Sequence, residues 1–294
     1  MGHAVYCCDT RSARSETLGY TTKSVSEIFT QQKKHVIHES MDPKSIRLRE
    51  CRDSEAHPQT VPVIIGLDVT GSMLRIPEQL VREGLPTMVS SVIQAGVPDV
   101  AILFTAVGDA ECDRHPLQVG QFESGDAELD MWLTRSYLES GGGGNPGESY
   151  HLVWDFANRY VQTDAWDKRQ QKGVIVTIGD EPVLPSVSGK LLKEVYGEGQ
   201  YSKVDNETLI NDLKNRWDIY HIHVDHGYRG APAKCWSDLL GQNVVTEKDY
   251  TKIPQVIAEL IVRSARNNET VQVGNQVPAT GKKDKEEEIP EIIL

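Results

Sequence analysis

Short apolar segments alternate with amphipathic segments through the middle of the chain. Four segments are rich in β-branched residues and apolar on both faces, as buried parallel strands are: 63–67, 100–107, 174–178 and 219–224. Between and after them, apolar residues recur at helical spacing over 80–93, 126–138, 150–160, 187–196, 208–217 and from Ile253 to Ile261. The alternation predicts an α/β fold with a doubly wound, mostly parallel sheet, helices on both faces and 117–122 as a short antiparallel edge strand.

The hydrophobic pattern divides the chain into three parts. Residues 1–58 are polar and weakly periodic, so we predict an N-terminal extension that packs on the main domain. The α/β pattern predicts that the main domain spans 59–266. Residues 267–294 contain the charged run 282–288 and are predicted to be a disordered tail, whose apolar end 289–294 is either a docking peptide or a terminus without a role.

Charge and cysteine content exclude several classes of protein. The 294 residues include 31 Lys and Arg against 43 Asp and Glu, and this net charge of −12 opposes binding to nucleic acid or to an anionic membrane. No apolar run approaches the ~20 residues of a membrane helix, and the first residues lack a signal-peptide pattern. Five cysteines without a C-x-x-C spacing are typical of a reduced protein, so we expect a cytoplasmic location.

Oxygen-bearing side chains follow two of the predicted strands. Asp68, Thr70 and Ser72 come directly after the first strand, and Asp180 follows the third. Ligands of doubly wound sheets bind at the carboxyl ends of the strands, where the strand order reverses. Carboxylate and hydroxyl oxygens in this arrangement suit Mg²⁺ or Mn²⁺.

These segments, with the glycine-rich loop 141–147, resemble the metal-ion-dependent adhesion site (MIDAS) of von Willebrand factor A (vWA) domains. The order of elements from 61 to about 265 also fits that Rossmann-like fold. The resemblance implies that Asp68, Thr70, Ser72 and Asp180 surround one divalent cation. The second loop departs from the family because it lacks threonine, and it is similar to a glycine-rich variant of some intracellular members. Glu148 is then the candidate ligand there, with Asn145 and Ser149 as alternatives.

The function implied by the resemblance is protein binding without catalysis. In the family, an acidic residue of a protein partner completes the coordination of Mg²⁺ or Mn²⁺. Intracellular members often act as adaptors or scaffolds with AAA+ ATPases, so the resemblance implies that class of partner. The three motifs together resemble those of bacterial or phage proteins.

Two other functions remain open from the sequence. A metal-dependent phosphoester hydrolase could use the same acidic site with His223 or His226 as acid or base. Alternatively, the metal is structural or lost, and the domain is a scaffold that docks through the tail or the N-terminal extension.

His221 and His223 are expected to be hydrogen-bonded core residues, with zinc ligation beside Asp225 as the alternative. After the second strand, a solvated acidic rim is expected, with a role in the choice of partner as the alternative; its residues are Asp109, Glu111, Asp113 and His115.

Overall fold

The computed structural model describes residues 4–97, 99–139, 147–226 and 232–275. The strands in these ranges are β1 (Arg49–Cys51), β2 (Val61–Asp68), β3 (Val100–Val107), β4 (Leu117–Val119), β5 (Val161–Thr163), β6 (Gly173–Gly179), β7 (Ser186–Val187), β8 (Val204–Asp205), β9 (Trp217–Val224) and β10 (Val244–Glu247). The helices are α1 (Cys8–Leu18), α2 (Val25–Ile28), α3 (Arg75–Gln79), α4 (Leu85–Gln94), α5 (Asp126–Thr134), α6 (His151–Tyr160), α7 (Asp164–Arg169), α8 (Gly189–Tyr196), α9 (Asn206–Leu213), α10 (Pro232–Leu240) and α11 (Ile253–Asn275). None of these helices combines the length and apolarity needed to cross a bilayer.

Six strands form the main sheet in the order β10-β9-β6-β2-β3-β4. All neighbours run parallel except β4, a short antiparallel strand at the edge. The predicted α/β fold with its mostly parallel sheet and antiparallel edge strand is therefore confirmed. Nearly every residue of β2, β3 and β6 is buried, because helices cover both faces of the sheet, and this explains the continuous apolar runs in the sequence.

Two hydrophobic cores lie on opposite faces of the sheet. Successive side chains of a strand point to opposite faces, so Val63 and Ile65 of β2 join one core while Ile64 joins the other. The first core is closed by α4 and α11, and the second by α6, α8, α9 and Trp236 of α10. Both faces of the central strands are thus shielded from water up to the carboxyl edge of the sheet.

Several helix ends differ from the prediction. Helix α5 ends at Thr134 and not at 138, and α9 ends at Leu213 because Trp217 already pairs with β6 as the first residue of β9. Helix α11 continues to Asn275, which carries it into the segment predicted as a tail. Residues 276–294, with the charged run and the apolar end, lie outside the described residues.

The N-terminal extension contains elements that its weak periodicity does not predict. Strand β1 pairs in parallel with β5 in a separate two-stranded sheet. Helix α1 is held by Arg11, which is 1% exposed and whose guanidinium donates to the Asp130 carboxylate on α5 at 2.9 and 3.1 Å. The same guanidinium donates to the backbone carbonyl of Val81. Helix α1 is therefore attached by buried polar contacts, whereas Tyr20, Ile28 and Phe29 of the extension pack into the first core.

Candidate functional site

The carboxyl ends of β2 and β6 meet at the centre of the main sheet. From β2 the chain goes first to β3 on one side and later to β6 on the other, so the strand order reverses at β2. Asp68 is the last residue of β2, and Asp180 directly follows the last residue of β6. The two predicted acidic residues thus lie at the switch point, where doubly wound sheets bind their ligands.

Asp68 is enclosed by hydrogen-bond donors. It is 1% exposed, and its Oδ1 accepts from the backbone N–H of Thr70 at 2.9 Å and from the Thr70 hydroxyl at 2.6 Å. Its Oδ2 accepts from the phenol of Tyr150 at 2.5 Å. Burial raises the pKa of Asp68 to about 7, although these hydrogen bonds oppose the shift by stabilising the carboxylate.

Asp180 is buried, and the described part of the chain offers its carboxylate no hydrogen-bond donor. It is 4% exposed, and neither of its carboxylate oxygens accepts a hydrogen bond from any described residue. The Nε2 atom of the His226 ring lies 3.9 Å from Asp180 Oδ2. A buried carboxylate without donors is costly, and a bound cation or its water shell would satisfy both oxygens. Asp180 therefore fits the predicted role of a metal ligand.

Glu148 is brought to the same edge by backbone pairing. Its N–H donates to the carbonyl of Pro182 at 2.9 Å, and its own carbonyl accepts from Leu184 at 3.0 Å, so it lies beside the loop after β6. The side chain is 5% exposed, and its Oε2 accepts no hydrogen bond from the described residues. Burial, followed by the negative charge of Asp68, raises the pKa of Glu148 to about 9.

The remaining predicted ligands differ in their surroundings. Thr70 is buried, and its hydroxyl donates a hydrogen bond to Asp68, which leaves the lone pairs of the hydroxyl oxygen free to accept. Ser72 is exposed in a single 3₁₀ turn. The hydroxyl of Ser149 accepts from the backbone N–H of Ala110, and this bond fixes it to the loop after β3. Asn145 and the rest of 140–146 lie outside the described residues.

The described residues do not form a complete cage of carboxylates and imidazoles. No group of three or more His, Cys, Asp or Glu side chains in the described ranges is arranged to hold a metal ion. The predicted set includes hydroxyl oxygens and leaves positions for water, which Mg²⁺ retains in protein sites. The donor chemistry of Asp180, Thr70 and Glu148 therefore fits a cation that is partly hydrated.

Tyr150 and Trp236 are site residues that the sequence did not indicate. The Tyr150 hydroxyl reaches Asp68 across Gly179, where an added Cβ would lie 1.7 Å from the phenol oxygen. Trp236 stacks flat on His221 with ring centroids 3.5 Å apart, and its indole N–H donates to the carbonyl of Glu181 at 3.0 Å. Gly179 at the end of an apolar strand is the sequence signal for the Tyr150 contact, because a glycine in a strand often marks the close approach of another group.

His221 lies in the core as expected, whereas the acidic loop after β3 differs from the prediction. His221 is fully buried, and its Nδ1 lies 2.9 Å from the Thr177 hydroxyl, which agrees with the core interpretation. The expected solvated rim is wrong for Asp109, which is 4% exposed. Its carboxylate accepts from the backbone of Glu111, and its N–H donates to Asp113, so it orders the loop after β3.

The chain has no match among protein-family models or curated proteins. Among solved structures, it is similar to the pilus adhesin SpaC of Lactobacillus rhamnosus GG in its open conformation, with 9% identity over 74% of this chain and a TM-score of 0.45. It is also similar to proximal thread matrix protein 1 of the mussel byssus, with 9% identity over 74% of this chain and a TM-score of 0.46. A von Willebrand factor type A structure from Catenulispora acidiphila matches 70% of this chain at 16% identity and a TM-score of 0.41. The chain spans 31%, 49% and 42% of these three structures, and similarity at this level assigns no function.

Proposed function

We propose that this chain is a vWA-type protein-binding module that holds Mg²⁺ or Mn²⁺ at the carboxyl ends of β2 and β6. The observation that carries the proposal is the pair of buried Asp180 oxygens that accept no hydrogen bond from the described residues, placed beside Asp68 at the switch point of the sheet. A bound cation with its water shell would satisfy both oxygens, and hard oxygen ligands favour Mg²⁺ and Mn²⁺. The MIDAS resemblance of the sequence supports the same assignment.

Some residues of this site would bind the cation, and Asp68 would orient one of these ligands. Asp180, Thr70 and Ser72 would supply oxygens, and Glu148 would do so once it releases its proton. Asp68 orients the Thr70 hydroxyl by accepting its hydrogen bond, which leaves the lone pairs of the hydroxyl oxygen for the cation. When bound, the cation supplies a positive charge that an acidic residue of a protein partner can neutralise.

The role of the whole protein follows from that chemistry. A partner carboxylate would otherwise be repelled by a chain of net charge −12, so binding should require the cation. The function is then that of a non-enzymatic adaptor or scaffold. We extend the proposal to a cytoplasmic protein of bacterial or phage type with an AAA+ ATPase as the partner class, on the sequence resemblance alone.

Calorimetric titration of metal-stripped protein with Mg²⁺ and with Mn²⁺ tests the proposal. The wild type is expected to bind one cation, and Asp180→Asn is expected to lose this binding because one ligand charge is removed. Asp155→Asn is the matched control, since Asp155 is also fully buried but pairs with Arg159 on α6. Absence of binding in the wild type, or equal loss in both variants, would refute the metal site.

A partner captured through the site should be released by EDTA. Pull-down with the wild type in Mg²⁺ is therefore compared with pull-down in EDTA and with the Asp180→Asn variant. Retention of the same partner in all three conditions would refute metal-dependent docking and leave the extension or the tail as the docking element.

The position of His226 supports a second candidate function. Its Nε2 lies 3.9 Å from Asp180 Oδ2, within reach of water on a cation held there, so the alternative is a metal-dependent phosphoester hydrolase. His223, which is 5% exposed, is the other candidate acid or base. Turnover of p-nitrophenyl phosphate with Mn²⁺ that is lost in His226→Gln would favour this alternative over the binding module.

A further inference from the structure

A groove lies between α4 and α11, two helices that pack against each other over the first core. Its volume is about 420 Å³. Its apolar lining comes from Ala95 at the end of α4 and from Ala258 and Val262 of α11. Alanine side chains are too short to fill the space between two helices, so the groove leaves room for larger apolar side chains of another segment.

The character of the groove changes along α11. The partly buried Val262 is followed towards the end of the helix by Arg263 and Arg266, and both arginine side chains are exposed. The groove also contains Glu259, whose carboxylate accepts from the side-chain amide of Gln255 at 3.3 Å. A segment that returns from the end of α11 along the helix would therefore meet first the cationic and then the apolar part of the groove.

The chain after α11 carries the complementary order of residues. Positions 286–288 are three consecutive glutamates, and positions 289–294 are the apolar run Ile-Pro-Glu-Ile-Ile-Leu. Folded back along α11, the glutamates would lie beside Arg263 and Arg266, and the isoleucines and leucine would enter the part lined by Val262. Charge and apolar surface would match at the same time, which is the arrangement that gives an interface its specificity.

The connecting chain is long enough for this contact within one molecule. Arg263 lies 12 positions before Asn275, or about 18 Å along α11. The ten residues 276–285 can span up to about 33 Å when extended. We infer that segment 286–294 docks in the groove between α4 and α11 of the same molecule. The inference does not depend on the proposed function, because α4 leads into the start of β3 and the groove thus lies towards the opposite edge of the sheet.

Methyl NMR of the full chain with labelled isoleucine side chains tests this docking. The signals of Ile292 and Ile293 are assigned by substitution with valine, and a synthetic peptide of sequence 284–294 gives their undocked shifts. The wild type is expected to show shifts displaced from the peptide values, and Val262→Asp should return them to those values. Val256→Asp is the matched control: Val256 is also partly buried on α11 against the first core but does not line the groove, so its shifts should equal the wild type.

The possible results separate the occupants of the groove. Wild-type shifts equal to those of the peptide overturn the inference, and so do displaced shifts that Val262→Asp leaves unchanged. A displacement that disappears on tenfold dilution assigns the segment to a second copy and overturns docking within one molecule. Circular dichroism checks the fold of each variant. Should Val262→Asp not fold, Arg263→Glu replaces it, because this side chain is exposed, and shifts that stay unchanged there overturn the inference equally.

Discussion

The ionisation of Glu148 should make the metal-free protein less stable as the pH rises. Its pKa in the folded state is raised from 4.5 to about 9, chiefly by burial. Below the unfolded-state value the carboxyl is protonated in both states, and its full contribution to stability is present. Between the two values only the unfolded state ionises, so stability is lost as the pH rises towards about 9. Glu148→Gln removes this ionisation while keeping the size of the side chain.

The size of this loss of stability follows from the number of pH units between the two measurements. Each unit corresponds to about 1.4 kcal/mol, so the wild type should lose about 3 kcal/mol through Glu148 between pH 5 and pH 7. The variant lacks this loss. Changes in packing or hydrogen bonding caused by the amide do not depend on pH, and Asp68 titrates in both proteins. The gap between the two free energies of unfolding should therefore widen by about 3 kcal/mol over this range in favour of the variant.

Urea unfolding of metal-stripped protein at pH 5, 6 and 7, followed by circular dichroism, measures this gap. Glu194→Gln controls for the substitution itself, because the side chain of Glu194 is 59% exposed on α8. A gap that stays constant across the three pH values would refute the reasoning, since it would mean that Glu148 ionises in the folded protein as it does in water.

Two further predictions concern the N-terminal extension. Arg11→Met leaves the carboxylate of Asp130 buried without its main partner, so the free energy of unfolding in urea should fall by about 3 kcal/mol, and Asp130→Leu added to it should restore part of the loss. A fall below about 1 kcal/mol would contradict a structural role for this pair. In a Cys8→Ser background, iodoacetamide at pH 8 should modify Cys7 faster than Cys112, although both are exposed. Hydrogen bonds from the first turn of α1 lower the pKa of Cys7, whereas a hydrogen bond to a neighbouring carboxylate raises the pKa of Cys112 to about 11. Peptide mass spectrometry over time measures both rates, and equal rates would contradict the prediction.

The main sheet could be predicted because its signals are local. Strands such as β2 and β3 are buried on both faces, so their own residues carry the pattern. Helix α1 has no comparable signal, because its buried residues are the polar Arg11 and Ser15. Its position depends on an aspartate 119 positions away, which no window of sequence contains.

In the candidate site, the residues that directly follow a recognisable strand could be predicted, whereas the contacts made by packing could not. Asp68 and Asp180 could be identified because each directly follows a recognisable strand, and parallel strands end at one edge. The contact of Tyr150 with Asp68 depends on packing against Gly179, and an aromatic residue before a helix ordinarily indicates only a core position. The burial of Asp109 was not predicted, because a buried acidic loop and a solvated acidic loop look alike in sequence.

The attachment of α1 to α5 has a consequence for synthesis on the ribosome. Arg11 emerges first, but its partner Asp130 is added 119 residues later, which at 5–20 residues per second takes on the order of 10 s. During that interval the Arg11 guanidinium lacks the carboxylate of Asp130, although its second acceptor, the Val81 carbonyl, is made earlier. We therefore expect the first part of the chain to be made early and folded late, with a nascent chain that is sensitive to protease until α5 has been completed.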